Sequence, residues 1–227
     1  MRKVVVCGLP RSGTTIFARM IGSLPRTLML NEPHWEFEKC KKCTLAGLAY
    51  DSTSPTPLLK SISEQTLDVV GFKETYRGTV YAKFDPRIPN KQLVEEYVRQ
   101  GFELVRIIRN PLAVLESSLT AANGVSTWAT HLEAFLESYE EFFRLAGKPP
   151  VIYEKLVLDP AKEMFRIGFG FFGLREGLPD SIMGDERAKR SSAICQGTKR
   201  TTCLSGSEVL KIKNSKPYEL WLCELER

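Results

Sequence analysis

The feature that most limits what this chain can fold into lies within its first fifteen residues. A β-branched run, Lys3-Val4-Val5-Val6-Cys7, ends at Gly8, and Gly13 follows five positions later, ahead of Thr14 and Thr15. A short continuous apolar run closed by glycine reads as a buried strand. From Thr14 to Ser23 the period changes. Ile16, Phe17, Met20, Ile21 and Leu24 share one helical face, and Pro25 stops the helix. A glycine-framed loop between a strand and a helix turns successive backbone N–H groups inward, and the helix N-terminus adds its dipole. Such a loop is built to hold an anion.

The frame is that of a P-loop, two glycines followed by small hydroxyl residues. Where the nucleoside-triphosphate version has lysine, this chain has Thr14. That lysine reaches the β- and γ-phosphates, so a loop without it holds a different anion. Arg11, inside the loop, supplies positive charge from another direction.

Further along, strand and helix patterns alternate. Strands are expected over Thr27–Leu30, Asp68–Phe72, Glu103–Ile108 and Pro149–Tyr153. Helices are expected over Asn90–Gln100, Leu112–Ala122 and Ser126–Ala146, with another opening at Asp159-Pro160. In the Ser126–Ala146 segment Trp128, Leu132, Phe135, Leu136, Tyr139, Phe142 and Phe143 form a stripe at helical spacing, which reads as core. Alternation of this kind predicts an α/β fold with a central parallel sheet covered on both faces, three layers in all. One domain over residues 1–227 accounts for the chain, closing with a basic loop and a C-terminal helix, Tyr218 to Glu226.

Charge adds a second constraint. The net charge is +5, but between Arg187 and Lys216 there are eight basic residues and one acid, Glu208. A local surplus of this size suits an anionic partner or a solvated loop. No run approaches the roughly 20 apolar residues of a spanning helix. The N-terminal apolar run is too short for a signal-peptide core, so a cytoplasmic location is expected. The six cysteines are 7, 40, 43, 195, 203 and 223. Cys40-Lys41-Lys42-Cys43 is a CxxC, but Cys195 and Cys203 have poor metal-ligand spacing, so reduced thiols and no metal are expected.

Three segments together resemble the sulfotransferase family. Pro10-Arg11-Ser12-Gly13-Thr14-Thr15 is similar to the family's 5′-phosphosulfate loop, with Arg11 where lysine is frequent. Arg109-Asn110-Pro111-Leu112-Ala113-Val114-Leu115-Glu116-Ser117 resembles its 3′-phosphate motif. Tyr153-Glu154-Lys155-Leu156 with Asp159-Pro160 resembles a third, strand-to-helix segment. The resemblance implies a P-loop NTPase-like fold and transfer of a sulfuryl group from 3′-phosphoadenosine 5′-phosphosulfate to a hydroxyl or amine acceptor. Adenosine 3′,5′-bisphosphate would be the second product, with no metal and no nucleic-acid partner. Pro10, Arg11, Ser12, Gly13, Thr14, Thr15, Arg109 and Ser117 would then bind the donor. Independently, Arg109 stands at a strand end, where open α/β sheets bind ligands, and an arginine with a hydroxyl suits a phosphate monoester.

The reaction needs a base for the acceptor proton and cationic or N–H donors for the leaving phosphate. Arg11 fits the second task. Glu32, in Asn31-Glu32-Pro33 just after the second strand, is the first candidate base, and similar segments occur in sulfotransferases with a glutamate base. Glu74, His34 and Glu36 compete with it, and Lys73 stands in a segment that resembles one placing a lysine near the site in some members. Two other functions stay open at this point: a P-loop kinase without the Walker lysine, and a non-catalytic nucleotide- or polyanion-binding protein using the basic segment.

Overall fold

The computed structural model describes residues 1–24, 26–32, 67–76, 78, 91–119, 131–167 and 204–227. His34, Glu36, the Cys40–Cys43 pair, Trp128 and positions 187–203 of the basic segment lie outside the described residues. Among the described residues, five strands form one parallel sheet: β1 Arg2–Gly8, β2 Thr27–Asn31, β3 Val69–Thr75, β4 Glu103–Ile108 and β5 Val151–Ile152, in the order β2-β3-β1-β4-β5. The helices around it are α1 Thr14–Gly22, α2 Lys91–Arg99, α3 Pro111–Leu119, α4 Leu132–Phe143, α5 Tyr153–Leu158, α6 Pro160–Ile167, α7 Gly206–Lys213 and α8 Lys216–Glu226.

The central strand shows why the layers form. Val4, Val5, Val6 and Cys7 have no exposed surface, and strand alternation sends them to opposite faces. Val5 and Cys7 join a core with Val94 and Tyr97 of α2, Val114 and Leu115 of α3, Phe135, Tyr139 and Phe142 of α4, Ile212 of α7 and Trp221 of α8. Val4 and Val6 join Phe17, Met20 and Ile21 of α1 with Leu156, Val157, Met164 and Ile167 of α5 and α6. Each fully buried valine stabilises by about 1.5–3 kcal/mol relative to exposure, so a strand apolar on both faces can only be a middle strand. The aromatic stripe of α4 is core, as its spacing requires.

Two elements differ from expectation. β5 is two residues long, because Pro149 and Pro150 have no N–H to give a ladder and Tyr153 already opens α5. Positions 206–213, expected as loop, are helix α7. Its start was legible: Ser205 and Glu208 form a capping box, with each side chain bonded to the other's backbone N–H. Local charge masked that signal.

β1 pairs with β3 on one side and β4 on the other, so the chain crosses the sheet after β3. That crossing is the switch point at whose carboxyl edge such sheets bind ligands. Gly8 stands opposite Thr75, Asn31 opposite Lys73, and Ile108 opposite Ile152. The loop at 9–13, Glu32, Arg109 and Tyr153 therefore all leave the sheet at one edge.

Candidate active site

The loop after β1 is tightly turned. Ser12, fully buried, donates from its backbone N–H and its hydroxyl to the Leu9 carbonyl at 3.1 and 2.7 Å. Arg11 and Gly13 have φ of 68° and 96°, whereas Ser12 between them does not take a positive φ. Alternating φ sign along successive residues is the backbone form of an anion-binding nest. Gly13 is the N-cap of α1 and has no side chain with which to cap that end, and the first turn has no acidic residue. The positive end of the helix dipole is left to an anion from outside.

Both glycines are sterically required. A Cβ on Gly8 would lie 2.6 Å from the Ile107 carbonyl oxygen, and one on Gly13 would lie 2.2 Å from Cδ2 of the Tyr153 ring. The loop is thus packed against the strand end on one side and against Tyr153 on the other.

Arg109 follows β4 and is buried. Its N–H donates to the Tyr139 hydroxyl at 3.1 Å, and that hydroxyl donates to the Arg109 carbonyl. Burial raises the Tyr139 phenol, which keeps it a neutral donor. The Arg109 guanidinium lies 4.5 Å from the Tyr153 ring centroid and donates to the Arg11 carbonyl at 3.0 Å. This stacking orients the planar group without consuming its donors. Asn110 then starts α3. Its Oδ1 accepts the Leu112 N–H at 2.9 Å, and Pro111 follows at the first helical position. Two turns on, buried Ser117 accepts a hydrogen bond from Arg11 Nε at 3.2 Å. Arg11 thereby touches both Arg109, through its carbonyl, and Ser117, through its side chain.

Glu32 stands beyond β2 with φ of 45°, a left-handed conformation that costs a non-glycine residue about 1–3 kcal/mol. Its N–H donates to the Lys73 carbonyl at 2.7 Å. Its Oε1 accepts Lys73 Nζ at 2.5 Å and also the Thr75 hydroxyl, while Lys73 Nζ donates to Thr75 Oγ1 at 3.2 Å. The Lys73 side chain is 5% exposed and that of Glu32 25%, so the carboxylate is the open end of the cluster.

Glu74 points to the other face of β3. It is fully buried, its Oε1 accepts the Tyr97 hydroxyl at 3.0 Å, and its Oε2 has no partner among the described residues. Burial pushes its carboxyl up to about 8, opposed by the Tyr97 hydrogen bond, with Glu32 raising and Lys73 lowering it. A carboxyl kept protonated at neutral pH and sealed in the core is a poor base for a proton arriving from solvent or substrate.

Pro10, Arg11, Ser12, Gly13, Thr14 and Thr15 thus form one loop, with Ser12 and Thr14 buried and Arg11 exposed. The structure brings Arg109 and Ser117 to that loop and Glu32 to Lys73 and Thr75. Sequence reasoning missed Tyr153 as the wedge between Gly13 and Arg109, and Tyr139 as the anchor of the Arg109 backbone. Thr75 was also missed, although its two-residue spacing from Lys73 puts both on one face of a strand.

A parallel sheet in this order, with a glycine-framed loop after its middle strand and an arginine at the next strand end, makes a P-loop-like α/β fold, and two solved sulfotransferases share it. A sulfotransferase from Alicyclobacillus acidocaldarius superposes with a TM-score of 0.56 at 12% identity, over 100% of this chain and 94% of that one. Mouse sulfotransferase SULT7A1, complexed with PAP, gives a TM-score of 0.52 at 15% identity, over 99% of this chain and 87% of that one. No protein-family model and no curated protein matches the chain by sequence. No described helix is long and apolar enough to cross a membrane.

Proposed function

We propose that this chain is a sulfotransferase that moves a sulfuryl group from 3′-phosphoadenosine 5′-phosphosulfate to a hydroxyl or amine. The observation that carries this reading is the position of Arg11, which joins the anion loop to both Arg109 and Ser117. That arrangement sets two anion grips side by side, as a nucleotide phosphorylated at both 3′ and 5′ positions requires. Mouse SULT7A1, of the same fold, is complexed with PAP, in keeping with such a ligand. A kinase reading lacks the lysine at position 14.

In this reading the Pro10–Thr15 loop, through the backbone N–H groups of Arg11, Gly13, Thr14 and Thr15, and the α1 dipole hold the 5′-phosphosulfate. Arg109 and Ser117 hold the 3′-phosphate. The acceptor oxygen or nitrogen attacks sulfur in line, the bond from sulfur to the 5′-phosphate oxygen breaks, and the acceptor proton passes to Glu32. Arg11 and the loop amides meet the charge that grows on the leaving oxygen, where stabilisation accelerates the step. The whole chain acts as one domain, in the cytoplasm.

Calorimetry with adenosine 3′,5′-bisphosphate and adenosine 5′-phosphate tests the donor assignment, and transfer from labelled donor to a panel of hydroxyl and amine acceptors tests the chemistry. Arg109→Ala removes a charge-assisted contact worth about 1.5–3 kcal/mol, so bisphosphate affinity is expected to fall roughly ten- to a hundred-fold. The loss is expected to shrink for the 5′-phosphate, with a remainder because Arg109 also braces the Arg11 carbonyl in the loop. Equal losses for both ligands would refute the assignment.

A further inference from the structure

Glu154, the second residue of α5, has no role in the chemistry above, yet it holds two distant segments together. Its Oε1 accepts the Asn110 N–H at 2.9 Å, and its Oε2 accepts Trp221 Nε1 at 3.3 Å. Asn110 is where α3 begins. Its Oδ1 caps Leu112 and its carbonyl accepts the Val114 N–H at 3.0 Å. Any shift of Asn110 moves Arg109 before it and the helix bearing Ser117 after it. Tyr139 and Glu154 are the two side chains bonded to the backbone N–H groups of residues 109 and 110, and Glu154 is the one that also reaches the C-terminal helix. Trp221 is buried in the same core as Val114, Leu115 and Tyr139, with Tyr218 tilted against it at 5.3 Å.

We propose that Glu154 is a positioning residue for the 3′-phosphate grip, and that through Trp221 the C-terminal helix sets how tightly that phosphate is held. The inference rests on the donor reading given above. Its chemistry is specific to a carboxylate, which only accepts, facing two groups that only donate. An amide at 154 has one oxygen and one NH2. Whichever way it turns, one of the two bonds becomes an N–H against an N–H.

The test measures affinities for adenosine 3′,5′-bisphosphate and adenosine 5′-phosphate by calorimetry in the wild type, Glu154→Gln, Trp221→Phe and Arg109→Ala. Glu154→Gln is expected to weaken the bisphosphate roughly tenfold, the scale of one charge-assisted bond, and to leave the 5′-phosphate within about twofold. Trp221→Phe keeps an aromatic ring and removes the N–H, so a bisphosphate-specific loss of about threefold is expected, the scale of one ordinary hydrogen bond. A merely structural role would lower the melting temperature and leave the ratio of the two affinities at its wild-type value. If Arg109→Ala abolishes the preference while both other variants keep it, the donor reading stands and this inference falls. If the wild type shows no preference, or Arg109→Ala retains it, the donor reading fails and takes this inference with it. Should Glu154→Gln not fold, Trp221→Phe alone decides.

Discussion

Replacing Glu74 by glutamine is expected to change how stability depends on pH, and the size of the change follows from where the side chain lies. Glu74 is fully buried with its carboxyl raised from 4.5 to about 8, chiefly by burial. In the unfolded chain the carboxyl ionises above about pH 4.5, while in the folded chain it keeps its proton until about pH 8. Between these values the unfolded state binds fewer protons, so wild-type stability falls as pH rises, by about 1.36 kcal/mol per pH unit from this group. The contribution is fully present below about pH 4.5 and is lost by the time pH passes about 8. Glutamine has the same shape, its carbonyl accepts the Tyr97 hydroxyl as Glu74 Oε1 does at 3.0 Å, and it does not titrate. The difference in unfolding free energy between Glu74→Gln and wild type should therefore grow in the variant's favour by roughly 2–3 kcal/mol between pH 5.5 and 7.5. Urea unfolding followed by tryptophan fluorescence at several pH values measures it. Comparing the two proteins cancels the titrating groups that Glu74 does not influence, and Cys7, whose thiol is pushed up first by burial and then by Glu74, keeps its proton over this range. Parallel pH profiles would show that Glu74 is already ionised in the folded protein, and would return it to the list of candidate bases.

Glu32→Gln is expected to bind adenosine 3′,5′-bisphosphate normally while transfer falls by a factor on the order of 10²–10⁴, whereas Glu74→Gln keeps near-normal transfer. Labelled-donor assays of the two variants side by side decide which carboxylate takes the proton. Gly13→Ala combines a left-handed residue with a Cβ placed 2.2 Å from the buried Tyr153 ring. It should destabilise by about 2–5 kcal/mol, and a loss below about 1 kcal/mol in urea unfolding would show that the loop is not braced by Tyr153.

Much of the fold was legible because its signals are local. Val4 to Val6 could only be a middle strand, and the α4 stripe repeats at helical spacing over Phe135, Tyr139 and Phe142. The glycines at 8 and 13 announced a tight loop, and the helix expected from Leu112 begins one residue earlier, at Pro111. Positions 206–213 are helical despite their loop-like charge, because the Ser205–Glu208 capping box starts the helix. The candidate site was legible as segments but not as contacts. Nothing near Arg11 in sequence indicates that its carbonyl meets Arg109 and its Nε meets Ser117.

The amino-acid sequence by itself determined the elements and the edge of the sheet to which they deliver their loops. Strand alternation, helical spacing and the demands of glycine and proline act over a few residues, so they can be read residue by residue. Only the tertiary structure decided which side chains share an environment. Lys73 and Glu74 are neighbours in the chain, yet the strand sends one to Glu32 and Thr75 and the other into the core against Tyr97. That division arises because β2 lies beside β3 in a register that sets Asn31 opposite Lys73. The register is set by packing of the whole sheet between its helices, and no short stretch of sequence carries it.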